Sequence, residues 1–201
     1  MIDELIDSTL IKEGGFTSDP NDTAHQKRVA KGSKWDSYCT NHGVTQFTLS
    51  DVWGRQASIE EVRNLTKDDA RRIFKKRYYL DARIDWLPDI MQPVVFDVSI
   101  NSGPYRAVLL LQRLLRKAGY KVGSDGRIGR NTSEKCAAAV DKFGPLLVNA
   151  YIEERLTFYR RVIAYNPSQK RFLKNWTSRA RSFVVPNAGE QVVNRLIEEL
   201  S

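Results

Sequence analysis

Cysteine and histidine are scarce in this sequence of 201 residues, which has two of each. Cys39 and Cys136 lie far apart and match neither the ligand spacing of a metal site nor a disulfide framework. We therefore expect two free thiols, no metal and no cofactor. A cysteine nucleophile with His42 as its base is an alternative, but no third group can be assigned to orient the base.

Long apolar runs are also missing. No stretch approaches the roughly 18 apolar residues that suggest a membrane helix, so we expect no stable membrane insertion. The chain starts with the acidic segment MIDELID, whereas a secretory signal starts with basic residues followed by an apolar stretch. This start predicts synthesis in the cytoplasm.

Basic residues outnumber acidic residues by 32 to 24, which gives a formal net charge of +8. Such a surface attracts polyanions, among them nucleic acid, anionic lipid and the acidic bacterial wall. No base-stacking or groove-reading motif accompanies the charge, so we expect no nucleic-acid partner. The last third holds a basic cluster that we interpret mainly as a solvated helical face, with an anionic wall or outer-membrane surface as its possible contact: Arg155, Arg160, Arg161, Lys170, Arg171 and Lys174.

The hydrophobic pattern is mostly helical. Apolar residues at helical spacing from Ile2 to Leu10 predict a first helix that ends before Gly14-Gly15 and places Glu13 at its end. Residues 43–48 (GVTQFT) have the composition of a short strand or hairpin arm. Capping-box patterns start helices at Ser58 and Thr66, and proline suits a helix start near residues 88 and 104. Residues 123–129 predict a tight loop, and later helices are expected from about residue 132 and over about 143–165, 168–182 and 188–200.

Glu13 is the strongest candidate for catalysis. Cleavage of a glycosidic bond needs a carboxylic acid that is still protonated near neutral pH and can protonate the leaving oxygen. Burial and the negative end of a helix dipole both favour the neutral acid, and neighbouring glycines leave room for a sugar. In lysozyme, a glutamate in an apolar pocket acts in this way. The alternative for Glu13 is an ordinary surface glutamate near a helix end.

Six segments, in order along the chain, resemble the signature of glycoside hydrolase family 108. They are KEGGFTSDP at 12–20, TNHGVTQ at 40–46, RYY at 77–79, FDVSINSGP at 96–104, LQRLL at 111–115 and DGRIG at 125–129. The last resembles the C-terminal region of the family, a predicted peptidoglycan-binding domain. One departure is a longer basic loop, from about residue 22 to 38, in place of a short acidic-Gly-Gly link.

The resemblance implies a mainly α, lysozyme-like helical fold with a small β-hairpin near residues 38–50. It implies a catalytic region over residues 1–92 and a helical peptidoglycan-binding region over residues 93–201, packed together as one unit. The implied activity is that of an N-acetylmuramidase, which hydrolyses the β-1,4 bond between N-acetylmuramic acid and N-acetylglucosamine. Together with the acidic N-terminus, it also predicts a monomeric phage-type endolysin that reaches the wall through a holin-type pore.

The family pattern also implies roles for single residues. Glu13 matches the catalytic acid, and Thr40 lies where phage-type lysozymes carry a threonine that can hold the attacking water. Asp22 and Asp19 are candidates for the second carboxylate, with Asp97 as a more distant third. That group should lie about 6.5–9.5 Å from the acid in an inverting enzyme and about 5–5.5 Å in a retaining one, and we favour inversion.

Substrate contacts are expected from residues in four of the matched segments: Asp19, Thr45, Gln46, Tyr78, Tyr79, Asp97 and Asn101. The tyrosines could form an aromatic platform or pack in the core, and Asn101 could instead cap a helix. Asp97 and Asn101 are four residues apart and share a helix face. Three other activities stay open: a lytic transglycosylase, a non-catalytic peptidoglycan-binding or secretion-accessory protein, and a basic nucleic-acid binder.

Overall fold

The computed structural model describes residues 2–12, 15–18 and 37–192, and the chain divides into two compact units, Met1–Leu80 and Asp81–Ser201. The described residues are mainly α-helical with one two-stranded antiparallel hairpin, which confirms the predicted fold class. Within those residues, no helix combines the length and the apolar character needed to cross a membrane.

The described residues of the first unit form four α-helices, a hairpin and a π-helical turn. In chain order these are α1 (Ile2–Lys12), β1 (Thr40–Asn41), β2 (Val44–Thr45), α2 (Gln46–Trp53), α3 (Ile59–Arg63), α4 (Lys67–Lys75) and the π-helical turn Lys76–Leu80. Helix α1 packs on α4. Ile6 and Leu10 are buried, as their spacing predicts, and an ion pair between Arg71 and Asp7 (2.6 Å) joins the two helices.

Capping boxes start α3 and α4, as predicted. The Ser58 hydroxyl accepts from the Glu61 backbone N–H, and the Glu61 carboxylate accepts from the Ser58 N–H. Thr66 and Asp69 repeat this reciprocal arrangement at α4. Each box satisfies two backbone donors that the first helical turn leaves without partners.

The strand predicted over residues 43–48 is shorter in the structure, where β2 consists of Val44 and Thr45. The turn of the hairpin consists of His42 (φ 49°) and Gly43 (φ 75°), and two residues at positive φ suit the twist of a two-residue hairpin turn. The strand interpretation of Gln46, Phe47 and Thr48 is wrong, because α2 begins at Gln46. Thr45 causes this early start: its side chain accepts from the Thr48 N–H and caps the helix.

Up to residue 187, the second unit is a bundle of five α-helices with two 3₁₀ segments. In chain order they are Ile84–Trp86 (3₁₀), α5 (Gln92–Ser102), α6 (Pro104–Lys117), α7 (Arg130–Phe143), α8 (Pro145–Tyr165), Pro167–Phe172 (3₁₀) and α9 (Leu173–Arg181). The helix predicted to open at Pro88 begins only at Gln92, and the one expected over 168–182 is split into a 3₁₀ segment and α9. Residues 188–192 are helical, and the rest of the predicted 188–200 helix lies outside the described residues.

The predicted loop at 123–129 is built around the buried side chain of Gln112. Its Nε2 donates to Asp125 Oδ1 (2.8 Å) and to the Arg127 carbonyl (3.0 Å), while its Oε1 accepts from the Gly126 N–H (3.0 Å). Gly126 has φ 68°, and a Cβ there would lie 2.3 Å from the Tyr105 ring. The DGRIG motif therefore closes a tight loop against α6, where only glycine fits.

Candidate functional site

Three threonines form a polar row across the hairpin of the first unit. Thr17 pairs with Thr40 through two backbone hydrogen bonds of 2.9 Å, and Thr40 pairs with Thr45 on β2. Directly paired residues project their side chains to the same face of a sheet. Thr17 is exposed and the other two are half-buried. The row thus carries hydroxyl groups on a partly open face in the segment that follows α1.

Asn41 anchors this hairpin to the end of α3. Its buried Nδ2 lies within hydrogen-bond distance of three backbone carbonyls, those of Val62 (3.1 Å), Arg63 (2.9 Å) and Leu65 (3.3 Å). Carbonyls at the end of a helix lack intrahelical donors, and the amide supplies one. Asn41 was not among the predicted site residues, and its role is to hold Thr40 in position.

Substitution of Asn41 with alanine should lower the free energy of unfolding by about 1–3 kcal/mol, because buried carbonyls lose their donor. Urea unfolding followed by circular dichroism measures the loss. The matched control is Asn64→Ala: within the described residues this exposed side chain bonds only to Glu60, and we expect a change of about 0.5 kcal/mol or less. Equal losses in the two variants would contradict the anchoring role.

Gln46 is buried and its side chain bonds only to protein groups among the described residues. Its Nε2 donates to the Ala57 carbonyl (2.8 Å), and its Oε1 accepts from the Tyr38 N–H (2.9 Å). These bonds tie the start of α2 to the segments before the hairpin and after the helix. They explain Gln46 without a ligand, so its expected substrate contact stays a prediction. Thr45, its neighbour, has its hydroxyl 2.9 Å from that of Thr48.

Tyr78 and Tyr79 lie in the π-helical turn that follows α4 and are half-buried. The Tyr78 ring packs on Phe74, with centroids 5.4 Å apart. Arg77, which precedes them, forms an ion pair with Asp51 of α2 and lies over the Phe47 ring at 5.7 Å. The tyrosines are thus partly core residues and partly accessible, which leaves their platform role a prediction.

Asp97 and Asn101 belong to the second unit and are brought together there. Asn101 Nδ2 donates to the Asp97 carbonyl (2.6 Å) and lies 3.3 Å from Asp97 Oδ2. Asp97 is only 3% exposed and forms ion pairs with Arg155 (2.7 Å) and Arg179 (2.8 Å). This buried cluster accounts for the carboxylate inside the apolar face of α5, and a role in substrate binding stays a prediction.

Arg155 corrects one sequence interpretation. Its basic neighbours in sequence predict a place on the solvated face, but it is fully buried. Burial acts to lower the pKa of its guanidinium, yet the charge of Asp97 and the hydrogen bond to Tyr159 outweigh burial and hold the pKa above its ordinary value. The other five members of that basic cluster are exposed, as expected: Arg160, Arg161, Lys170, Arg171 and Lys174.

Glu13, Asp19 and Asp22 lie outside the described residues, as does most of the basic loop. The prediction of their roles therefore rests on the sequence alone. The described residues that flank them in sequence are the end of α1 and the strand residues of the threonine row.

A groove of about 880 Å³ in the first unit was not predicted from the sequence. It runs between α2, α3 and α4, and Trp53, which is 42% exposed, lies at its rim with Arg55 4.7 Å above the ring. Arg55 also pairs with Glu61 at 2.7 Å, and this contact lowers the pKa of Glu61 to about 2. The groove therefore combines an aromatic face with fixed charges, features typical of ligand sites.

The structure offers no support for thiol or metal chemistry in its described part. Cys39 and Cys136 are buried and free, as predicted. Burial raises the pKa of the Cys39 thiol and raises that of Cys136 to about 12, so neither forms the nucleophilic thiolate near neutral pH. The described residues also contain no group of three or more His, Cys, Asp or Glu side chains able to hold a metal.

Comparison with known proteins divides the chain in two. Residues 6–103 match the family model glycosyl hydrolase 108, and residues 106–181 match the model called predicted peptidoglycan domain. Among solved structures, that of Brucella abortus SagA is similar, with a TM-score of 0.64 and 26% identity over 92% of this chain and 96% of that one. No curated protein matches this chain.

Proposed function

Residues 6–103 are a glycosyl hydrolase 108 domain, so the chain is a glycoside hydrolase, and we propose that it is an N-acetylmuramidase. The presence of a predicted peptidoglycan domain directly after the hydrolase domain indicates that peptidoglycan is the substrate. In our proposal the enzyme hydrolyses the β-1,4 bond between N-acetylmuramic acid and N-acetylglucosamine. The order of the two domains in one chain is the observation that carries this proposal.

We assign Glu13 as the general acid. It follows the last residue of α1 in the sequence, and a carboxyl group at the negative end of a helix keeps its proton more readily. The acid protonates the glycosidic oxygen as the bond to the sugar breaks, and an oxocarbenium-like centre develops at the anomeric carbon. The KEGGF segment that contains Glu13 lies inside the matched hydrolase domain.

Thr40 and Asp22 are assigned to the water that completes the reaction. The Thr40 hydroxyl belongs to a row with a partly open face, and a hydroxyl can orient a water molecule by a hydrogen bond. Asp22, with Asp19 as the other candidate, would accept a proton from this water as it attacks the anomeric carbon from the opposite face. The outcome would be inversion of configuration.

Analysis of the released fragments tests this assignment against its closest rival. We expect digestion of purified murein to yield fragments with a reducing N-acetylmuramic acid end that have gained one water molecule, as mass spectrometry can show. Fragments that end in an anhydro sugar would identify a lytic transglycosylase. Binding to sacculi without release of soluble fragments would identify a peptidoglycan-binding or secretion-accessory protein.

We also propose that the enzyme acts as a phage-type endolysin, a role supported by the resemblance of its motifs to those of family members from phages. Production in bacterial cytoplasm should leave the cells intact, and co-production of a holin-type pore should lyse them. Lysis without the pore would exclude this route to the wall, while leaving the proposed activity on purified murein untouched.

A further inference from the structure

A basic groove of about 490 Å³ lies between α6 and α8 in the second unit, and we call it the arginine groove. The side chains that line it include three guanidinium groups and two aromatic rings: Arg106, Arg113, Arg161, Phe158 and Tyr165. On α6 the arginines are seven residues apart, and on α8 the lining residues recur at helical spacing, so each helix turns one face to the groove.

The positive charge of the arginine groove is only partly neutralised. Arg113 pairs with Glu154 at 3.2 Å, and Lys117 bonds to the same carboxylate. Arg106 lies over the Phe158 ring at 4.8 Å instead of facing an acid. In the described part of the chain, neither Arg106 nor Arg161 has a carboxylate oxygen within 4.0 Å, and the groove lining contains no acidic side chain. Two exposed guanidinium groups therefore have unused donors at one concave site.

Guanidinium groups match carboxylates well, because two parallel N–H donors can reach both oxygens of one carboxylate. The aromatic rings add an apolar wall: Phe158 is half-buried, and Tyr165 is 94% exposed at the end of α8. A ligand that suits this groove carries free carboxylates on a short chain with apolar parts. A flat anionic bilayer suits it less, because a membrane contacts the rim of a concave site and not its floor.

We propose that the arginine groove binds the free carboxylates of the short peptides attached to the glycan strands of peptidoglycan. This inference rests on the proposed function, which makes peptidoglycan the substrate. It goes further because it assigns the contact to Arg106 and Arg161 on the protein. On the ligand it assigns the contact to the peptide and not to the sugar. The groove lies wholly within the region that matches the predicted peptidoglycan domain. Binding of the peptides would hold the enzyme on the wall between cleavage events.

The test uses the full-length double variant Arg106→Gln/Arg161→Gln and its binding to intact sacculi in the cold, where digestion is slow. Loss of two charge-assisted contacts should weaken binding about 10-fold to 100-fold. The matched control is Arg116→Gln/Arg160→Gln: it removes the same charge from the same two helices at exposed positions outside the groove. We expect the control to bind like the unmodified protein.

A second experiment changes the ligand by amidating the peptide carboxylates of the sacculi. Sacculi with amidated peptide carboxylates should bind the unmodified protein as weakly as intact sacculi bind the groove variant. Equal binding to amidated and intact sacculi would overturn the proposal, and so would equal losses in the groove variant and the control. It would also be overturned if the groove variant lost binding only to phosphatidylglycerol vesicles, which would make the groove a lipid site.

Failure of this inference can be told apart from failure of the proposed function. Glycan strands freed of peptides by an amidase should be hydrolysed by the groove variant at the rate of the unmodified protein, because the peptide contact is missing from both reactions. If the unmodified protein releases no fragments from any murein, the muramidase proposal fails. The comparison of intact with amidated sacculi would still decide the role of the groove.

Discussion

Replacement of Glu13 with glutamine is expected to reduce the release of fragments from purified murein by at least about 1000-fold. Glutamine has nearly the same size and keeps hydrogen-bonding groups, but its amide cannot transfer a proton to the leaving oxygen. Without that proton the sugar must depart as an alkoxide, which is a poor leaving group near neutral pH. The initial rate of soluble muropeptide release, measured at several enzyme concentrations, gives the effect.

Two controls make the Glu13 result specific. Glu4→Gln changes an exposed glutamate in the first turn of the helix that precedes Glu13, and this variant should hydrolyse murein at an unchanged rate. The Glu13 variant should also keep its circular dichroism spectrum and its binding to sacculi, which separates lost chemistry from lost folding. Full activity of Glu13→Gln would remove the assignment of this residue as the acid and leave the enzyme class intact.

Local sequence signals predicted most of the helices because their chemistry is local. Capping at Ser58 and Thr66 needs only residues three positions apart, and the start of α6 needs only Pro104. The same kind of signal misled at residues 46–48. Their β-branched and aromatic composition favours a strand, but Thr45 caps a helix there, and a cap with a buried first turn outweighs a weak strand preference.

Residues whose roles depend on distant partners were harder to predict. The carbonyl partners of Asn41 lie 21 to 24 positions away, and nothing near Asn41 indicates them. For Arg155 a signal was present: Tyr151, Ile152 and Tyr159 place it on the apolar stripe of α8, and all of them are buried. An arginine on such a stripe needs a buried carboxylate, and Asp97 is the acidic residue that interrupts an apolar helix.

The predicted division of the chain at residue 92 stays a prediction. It lies between two boundaries: the compact units divide after Leu80, and the two matched domains meet between residues 103 and 106. Helix α5 explains the difference, because it matches the hydrolase model in sequence but packs on α6 in the second unit. The region that matches the hydrolase model thus ends inside the second compact unit. The region that matches the peptidoglycan model lies in that same unit.

The second large effect is expected on stability. Asp97→Asn should lower the free energy of unfolding of the second unit by about 3–5 kcal/mol, because a buried guanidinium then lacks its counter-charge. Asp97 pairs with Arg155 through Oδ2 and with Arg179 through Oδ1. The Arg155 side chain is 1% exposed, so water cannot replace the lost carboxylate charge. Hydrogen exchange of the amides in α5 and α8, measured with increasing urea, reports this loss for the second unit alone.

Two further variants separate the buried pair from the partly exposed one. Arg179→Gln should cost only about 1 kcal/mol, since its side chain is 28% exposed and keeps contact with water. The double variant Asp97→Leu/Arg155→Met should regain most of the stability that Asp97→Asn loses, because it removes both buried charges together.

If Asp97→Asn stays as stable as the unmodified protein yet loses hydrolysis per folded molecule, Asp97 acts on the substrate, as its position in the sequence suggests. A loss of stability with unchanged hydrolysis per folded molecule would instead make its function structural.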